Sequence, residues 1–358
     1  MSDSATSPVK PGDQAPAARL EAALSLAGQQ HAIEGIRTMA DTGLAHHHLW
    51  LSRHDIDWVA RLPKQSQLGL DAQANLDYQS ACFARAAASG HTPALHGFLP
   101  PSEALPRGGL LVNAIKGRPA RLPEDLPAIA EALAAIHALP VPAKAQRAPL
   151  LTPDDPWAAM REEVETQARW LTAAELAPAA QSAIEAELAA LPQALPHASP
   201  RLISFDAHPG NFLITDLGRA VLVDLEKCRY GLPGFDLAHA TLYTSTTWDL
   251  NSYAELTPDE VASFYHDWMN AVGFSGNAAS LLACRRAMWL WSLTWCAKWR
   301  AQHDKARDTS IEGEDWSAEL SDDALVAHVR GRVEHYLSLA TIERVQAELL
   351  ALDDALRL

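Results

Sequence analysis

Short apolar runs separated by polar turns dominate the first third of the chain and predict β-strands. The runs Leu49–Ser52 and Trp58–Leu62 flank the polar segment Arg53–Asp57, a pattern that is typical of a β-hairpin. A helical stretch follows over about residues 71–89, and Leu110–Ile115 is a further predicted strand. This part of the chain is therefore predicted to combine strands with helix.

Beyond residue 120 the apolar positions follow a helical period. Pro123-Glu124-Asp125 opens a helix, because acidic side chains favour the positive end of the helix dipole. The residues that follow recur at spacings of three and four and predict one buried face: Leu126, Ile129, Leu133, Ile136 and His137. Most of the remaining chain is predicted to be helical.

Residues 201–224 interrupt this helical part with short strands. The turn Asp216-Leu217-Gly218 separates two apolar runs that are predicted to pair as a hairpin. The predicted strands are Leu202-Ile203, Phe212–Ile214 and Ala220–Val223. The sequence therefore predicts a smaller N-terminal lobe with strands and a larger helical lobe with one β-containing loop region.

The chain has 358 residues, and 29 basic against 44 acidic side chains give it a net charge of −15. This balance argues against binding to nucleic acid or to an anionic membrane, because both need clustered cations. Residues 1–20 predict a disordered tail, and no apolar stretch reaches the roughly twenty residues of a membrane span. The four cysteines are far apart and predict no disulfide framework. We therefore expect a cytoplasmic protein.

The densest group of unusual residues lies between Ser204 and Glu226. Asp206 and Asn211 are five positions apart across a loop, so both side chains can face one site. Asp224 follows the predicted hairpin, and antiparallel pairing would bring it back beside Asn211. Carboxylate and amide oxygens are the ligands that Mg²⁺ prefers. The spacing D-x-x-x-x-N, with an aspartate after the next hairpin, matches the parts of a phosphoryl-transfer site.

The same segment has a simpler interpretation as an ordinary loop. Asp, Asn, Gly and Pro are common turn residues, so a lone D-x-x-x-x-N carries little information. The hairpin and the pair Asp224-Leu225-Glu226 behind it favour the catalytic interpretation.

These residues, with Gly234-Phe235-Asp236-Leu237-Ala238, resemble the motif region of the aminoglycoside phosphotransferase and choline kinase superfamily. The resemblance covers about residues 35–240 and is strongest over residues 201–240. It implies an α+β, bilobal, protein-kinase-like fold. The implied parts are a small β-containing nucleotide-binding lobe (21–113) and a larger, mainly helical C-terminal lobe (114–358), which holds the catalytic loop (201–226) and the acceptor-binding helices.

The resemblance also implies roles for residues of the catalytic loop and the hairpin. Asp206 would be the catalytic base that deprotonates the acceptor hydroxyl. Asn211 and Asp224 would coordinate Mg²⁺, with Glu226 as a ligand of a second metal ion or a residue just behind the metal ligands.

Two further residues would support the catalytic loop. His208 would hold the loop by hydrogen bonds, and Asp236 would stabilise the loop or cap a helix. The family motif usually begins His-Gly-Asp, whereas Ser204 and Phe205 precede the aspartate here.

The nucleotide-binding residues are expected in the N-terminal lobe. In the turn that would cover the phosphates, only Gly43 of the family's pattern is retained. Either Arg61 or Lys64 would bind phosphate, and a planar, bidentate guanidinium suits that role. The adenine would meet the strand that carries Asn113 and Ile115.

In the family, a glutamate on the next helix usually pairs with this cation. Gln79 stands at that position, and Asp77 is the nearby acidic alternative. This pairing is therefore expected to differ from the family pattern.

Three tryptophans, Trp291, Trp295 and Trp299, fall at a spacing of four on one helical face. They predict either a helix packed in the core or an aromatic wall for a cationic ligand. An acidic loop at residues 310–315 is a candidate lid over that ligand.

Taken together, the residues predict an ATP- and Mg²⁺-dependent kinase for a hydroxyl of a small, amine-containing or sugar-like molecule. The acceptor classes are an aminoglycoside or amino sugar, an amino alcohol such as choline, and methylthioribose. The alternative is a non-catalytic, kinase-like protein that binds nucleotide or ligand, which Ser204, Phe205 and Gln79 motivate. No partner nucleic acid or membrane is expected in either case.

Overall fold

The computed structural model of the protein describes residues 15–29, 32–39, 45–195, 199–250, 252–303 and 323–356. The chain divides into two compact units. The described part of the first unit lies within residues 15–80 and 94–114, and that of the second lies within residues 81–93, 115–303 and 323–356. None of the helices in these ranges is long and apolar enough to cross a membrane.

The first unit is built on a five-stranded antiparallel sheet. Its strands follow the order β1-β2-β3-β5-β4. Strands β2 and β3 form the predicted hairpin, in which Leu49 lies opposite Ala60. The elements are α1 (Pro16–Leu26), β1 (Gly35–Thr38), β2 (His46–Ser52), β3 (Trp58–Pro63), α2 (Ala72–Ala86), β4 (Leu95–Leu99) and β5 (Gly109–Asn113), and the division between the units falls within α2, after Ser80.

Helix α1 begins at Pro16, inside the segment that the sequence assigned to a disordered tail. Leu20 and Leu24 are buried against the sheet residues Leu49 and Leu51. The predicted tail was therefore wrong for residues 16–20, because their apolar partners lie on strands that follow much later in the chain. Residues 1–14 of that tail lie outside the described part.

The second unit is mainly helical and contains two small sheets. The strand order is β6-β8-β9 in one sheet and β10-β7 in the other. Its elements are β6 (Gly117–Pro119), α3 (Leu126–His137), α4 (Pro156–Ala168), α5 (Pro178–Ala189), β7 (Arg201–Ile203), β8 (Phe212–Thr215), β9 (Ala220–Leu222), β10 (Arg229–Gly231), α6 (Pro233–Thr241), α7 (Tyr243–Thr246), α8 (Pro258–Val272), α9 (Ala278–His303), α10 (Asp323–Tyr336) and α11 (Leu339–Leu356).

Two helices organise the core of this unit. Helix α3 buries its predicted apolar face, including Ile129 and Leu133, and packs against α8. Helix α9 packs against α4 and α6. Because α6 follows the predicted catalytic segment with only β10 between them, these contacts place the helical core beside that segment.

Candidate functional site

The loop between β7 and β8 carries Asp206 and Asn211. A short 3₁₀ turn, Pro209–Asn211, shapes the loop, and the Asn211 amide donates to the carbonyl oxygen of His208 at 2.9 Å. The Asn211 side-chain Nδ2 donates to the carbonyl oxygen of Asp206 at 2.8 Å. The second polar atom of the Asn211 side chain, Oδ1, is therefore turned away from that carbonyl.

The hairpin of β8 and β9 brings Asp224 back to this loop. Phe212 lies opposite Leu222, and the next amide, that of Val223, donates to the carbonyl oxygen of Asn211 at 2.9 Å. Asp224 follows at once, as antiparallel pairing predicted. The Glu226 amide donates to Asp224 Oδ1 at 3.3 Å. Two carboxylates and an amide oxygen thus follow one another along the loop and hairpin, and such hard oxygen donors fit Mg²⁺.

The carboxylate of Asp206 is flanked by a lysine and a histidine. Lys227 Nζ lies 3.2 Å from Oδ2, and His239 Nδ1 lies 3.8 Å from Oδ1. Burial alone would raise the pKa of Asp206, but the Lys227 ammonium and the nearby His208 and His239 outweigh it and lower that pKa. Asp206 is therefore ionised at neutral pH, so its carboxylate can accept a proton.

Asp236 on α6 ties the start of the catalytic loop to the helical core. Its Oδ2 accepts from the Ser204 amide at 2.7 Å, and its Oδ1 accepts from the Phe205 amide at 2.8 Å. His137 Nε2 lies 3.1 Å from Oδ2, while Trp268 Nε1 donates to His137 Nδ1 at 3.0 Å. Since Nδ1 accepts, the His137 proton sits on Nε2 and points at the carboxylate.

Phe205 adopts the left-handed backbone conformation that favours glycine, with φ +59°. Its ring is buried, lies 3.6 Å from the Arg229 guanidinium and meets Trp291 edge-on at 5.6 Å. The family pattern has glycine here. In this chain, aromatic packing holds a larger side chain in that strained conformation, directly before Asp206.

His208 contributes to the loop through its backbone carbonyl, and its ring lies beside that of His239. Its carbonyl oxygen closes the 3₁₀ turn, but its ring Nδ1 is buried and has no hydrogen-bond partner within the described ranges. The ring instead lies 5.9 Å from that of His239. The loop-supporting role of the His208 side chain therefore stays a prediction.

The three tryptophans on α9 have different environments. Trp299 is buried, and half-buried Trp295 meets Trp248 edge-on at 5.9 Å. Half-buried Trp291 donates from Nε1 to Glu163 Oε1 at 2.7 Å. Trp291 thus lies beside the catalytic loop, whereas Trp299 belongs to the core.

Sequence reasoning missed Lys227, His239 and Glu163. Lys227 could have been noticed, because it directly follows Asp224-Leu225-Glu226. His239 lies three positions after Asp236 on α6, and no local pattern distinguishes it from a core residue. Glu163 lies on α4 and meets the loop through Arg229 and Trp291.

The residues expected to bind phosphate lie in the first unit. Arg61 on β3 is buried and donates from Nη1 to His48 Nε2 at 3.2 Å. Lys64 directly follows β3, and its amide donates to the Ala45 carbonyl at 2.8 Å. Gly43 and the acidic loop at residues 310–315 lie outside the described part of the chain.

The neighbouring helix α2 carries the two candidate partners of that cation. Gln79 is buried, and its Oε1 accepts from His46 Nε2 at 3.1 Å. Asp77 is exposed and accepts from Gln73 on the same helix at 2.8 Å. Asp77 therefore has its own partner on the outer face of α2.

The two residues expected near adenine belong to different units. Asn113 ends β5 and lies opposite Trp58, and its side chain is hydrogen-bonded to His96. Ile115 is half-buried and belongs to the second unit.

Comparison with known proteins gives one family match. The model of the APH phosphotransferase enzyme family matches residues 50–270. No match was found among curated proteins.

Solved structures share the fold at low sequence identity. A candidate aminoglycoside phosphotransferase of Ralstonia eutropha JMP134 is 14% identical, covers 92% of this chain and 98% of its own, and has a TM-score of 0.61. A choline/ethanolamine kinase family protein of Mesorhizobium loti is 16% identical, covers 94% of this chain and 98% of its own, and has a TM-score of 0.57. Macrolide 2'-phosphotransferase MphH of Brachybacterium faecium is 18% identical, covers 87% of this chain and 98% of its own, and has a TM-score of 0.54. The predicted fold class is confirmed.

Proposed function

Because the chain belongs to the phosphotransferase enzyme family, we propose that it transfers the terminal phosphoryl group of ATP to a hydroxyl group of a small molecule in a Mg²⁺-dependent reaction. The observation that carries this proposal is the convergence of Asp206 with Asn211, Asp224 and Glu226 on one loop and hairpin.

Asp206 is proposed as the base that orients and deprotonates the acceptor. Its carboxylate is ionised, and Lys227 restrains Oδ2. A hydroxyl that donates to Asp206 would have its oxygen lone pair turned toward the phosphorus for in-line transfer. Positioning and electrostatic stabilisation supply most of the rate enhancement in such a reaction.

Asn211, Asp224 and Glu226 are proposed to hold the magnesium ion. Their oxygens are the hard donors that this ion prefers, and the Asn211 Nδ2 is already engaged with the Asp206 carbonyl. When bound, the ion neutralises the charge of the phosphate groups.

The nucleotide is proposed to bind to the residues that the family resemblance assigned to it. Arg61 or Lys64 would bind its phosphates, and Gly43, Asn113 and Ile115 would complete its site. The buried guanidinium of Arg61 suits bidentate binding to phosphate oxygens.

The acceptor is proposed to be an aminoglycoside, an amino sugar or an amino alcohol. Solved proteins of the same fold include a macrolide 2'-phosphotransferase and a choline/ethanolamine kinase family protein. Half-buried Trp291, beside the catalytic loop, would offer an aromatic surface to such a molecule. The cytoplasm, which supplies ATP, is the proposed location and agrees with four free, buried cysteines.

The proposal is tested by ADP release from Mg²⁺-ATP. The acceptor panel holds kanamycin, glucosamine, choline, ethanolamine and methylthioribose. We expect one class to stimulate release, and Asp206→Asn to lower the stimulated rate about 100-fold or more while the protein stays folded. The matched control is Asp216→Asn, a change in an exposed turn that should leave the rate unchanged.

The alternative predicts a different result. A non-catalytic protein would bind ATP without acceptor-stimulated or Asp206-dependent ADP release. That outcome would favour the non-catalytic, kinase-like reading that the departures at Ser204, Phe205 and Gln79 first suggested.

A further inference from the structure

The two oxygens of the Asp206 carboxylate are not equivalent. Oδ2 lies 3.2 Å from the Lys227 ammonium, which holds it in an ion pair. Oδ1 lies 3.8 Å from His239 Nδ1, which is too far for a direct hydrogen bond. Lys227 therefore orients the carboxylate so that Oδ1 faces the imidazole across a small gap.

His239 brings a buried nitrogen to this gap. The residue is only 8% exposed, and its Nδ1 has no hydrogen-bond partner within the described ranges. A buried polar atom without a partner costs about 1–3 kcal/mol and calls for an explanation, such as a bound water or ligand. Burial lowers the pKa of His239 to about 4, so the ring is neutral at neutral pH.

The tautomer of His239 follows from its neighbour. A lone pair on Nδ1 would face the negative Oδ1 of Asp206 and be repelled by it. A proton on Nδ1 points its positive charge at the same oxygen and is favoured. Nδ1–H is thus a donor without a hydrogen-bond partner in the described structure, and it lies 3.8 Å from Asp206 Oδ1.

One oxygen atom can satisfy both groups. Hydrogen bonds of this kind span about 2.7–3.0 Å, so the distance of 3.8 Å allows one oxygen to bond to both atoms when the acceptor gains access to the buried Nδ1. A hydroxyl in that position donates its proton to Asp206 Oδ1 and accepts from His239 Nδ1–H. Its second lone pair stays available for bond formation.

We propose that His239 is a catalytic residue that binds the reacting hydroxyl of the acceptor together with Asp206. The inference rests on the proposed function. In the transfer, a bond forms between the hydroxyl oxygen and the γ-phosphorus of ATP, and the bond from that phosphorus to the β-γ bridging oxygen breaks to release ADP. The hydroxyl proton passes to Asp206 Oδ1, while His239 keeps its proton and fixes the direction of the attacking lone pair.

The test compares two replacements of His239. His239→Leu removes the donor at similar volume, whereas His239→Asn can place an amide N–H near the position of Nδ1. The probe is the compound that most stimulates ADP release among kanamycin, glucosamine, choline, ethanolamine and methylthioribose. If none of them stimulates release, water is the acceptor and the rate of ATP hydrolysis is measured. We expect His239→Leu to lower kcat/KM for the probe by about 100-fold, with KM for ATP unchanged. His239→Asn should recover about tenfold of that loss.

Two controls separate this role from a structural one. His266→Leu makes the same change at a half-buried histidine on α8 and should leave kcat/KM unchanged. In protein labelled with ¹⁵N-histidine and saturated with a non-hydrolysable ATP analogue, the probe should shift the His239 Nδ1 resonance. That shift does not depend on how well the variants fold.

The outcomes separate this inference from the proposed function. Asp206-dependent transfer combined with an unchanged kcat/KM in His239→Leu, or an unshifted Nδ1 resonance, would overturn the role of His239 alone. If no Asp206-dependent ADP release occurs with any probe or with water, the proposed function is wrong and the role of His239 falls with it.

Discussion

At the scale of single residues, the backbone conformation and the side chain of Phe205 have opposite effects on stability. Its φ of +59° costs about 1 kcal/mol or more for any residue with a Cβ. Its ring, buried against Arg229 and Trp291, contributes more than that. The net effect keeps a strained residue next to Asp206, the proposed base.

We predict that Phe205→Gly is more stable than Phe205→Ala by about 1 kcal/mol, because only glycine adopts this conformation freely. Both variants should lie below the parent by about 2–5 kcal/mol, since both lose the ring. Urea unfolding measures the three free energies. At Phe212 on β8, where φ is −107°, the order should reverse, with alanine more stable than glycine. The same order at both positions would contradict a strained Phe205.

Lys227 gives a prediction about pH. Its ammonium favours the ionised form of Asp206, so its removal raises the pKa of Asp206. In Lys227→Met, the acid limb of the kcat/KM profile should therefore move to higher pH, and the plateau should fall about tenfold. Lys227→Arg keeps the charge and should keep the limb in place. An unshifted limb in the methionine variant would show that the ion pair does not control the pKa of Asp206.

At the scale of elements, α6 is the support on which the catalytic loop is built. Asp236 is the first-turn acidic residue of α6, and it accepts hydrogen bonds from two loop amides and from His137 on α3. One buried carboxylate therefore connects the loop with two helices that are far apart in sequence.

We predict that Asp236→Asn destabilises the protein by about 2–4 kcal/mol. The asparagine side chain would direct its NH2 group at one or more of the three groups that donate to Asp236, and the remaining hydrogen bonds would lose the contribution of the negative charge. Urea unfolding followed by tryptophan fluorescence measures the change. Asp216→Asn, in the exposed β8–β9 turn, should change stability by less than about 0.5 kcal/mol. Equal changes in the free energy of unfolding at the two positions would show that the hydrogen bonds of Asp236 do not stabilise the fold.

At the scale of the whole molecule, His239 makes global stability depend on pH. The ring has an ordinary pKa of 6.5 when unfolded and about 4 when folded, so folding favours the neutral form. Its contribution is complete above pH 6.5 and is lost as the pH falls from 6.5 toward 4. A difference of this size corresponds to about 3 kcal/mol.

We predict that the free energy of unfolding falls between pH 7 and pH 4.5 and that His239→Asn removes a large part of this slope. Urea unfolding at several pH values gives the measurement. Asp206 does not cancel the effect, because its lowered pKa acts in the same direction but at lower pH. A variant with the parent's slope would show that other groups set the acid sensitivity.

Much of the local structure could be predicted from residue order. The β2–β3 and β8–β9 hairpins, the buried face of α3 and the return of Asp224 to Asn211 all follow from short-range patterns. Such patterns work because a strand pair joined by a tight turn, or one helix face, involves residues only a few positions apart.

Other elements escaped prediction for a common reason. Strand β7 was predicted, but its pairing with β10, some 25 residues later, was not, and α1 is buried only because a later sheet covers it. Residues 81–93 group with the second unit although they continue a helix of the first. Each depends on contacts between distant segments, and no local period reports them.

The sequence by itself determined the class of chemistry, because the spacing of Asp206, Asn211 and Asp224 is a property of one loop and one hairpin. The tertiary structure alone decided what surrounds Asp206, the proposed base: Lys227 on one oxygen, His239 beside the other, and Asp236 holding the loop from α6. These contacts exist only after separate helices and strands pack, since closing each long loop costs entropy that the packed core must offset.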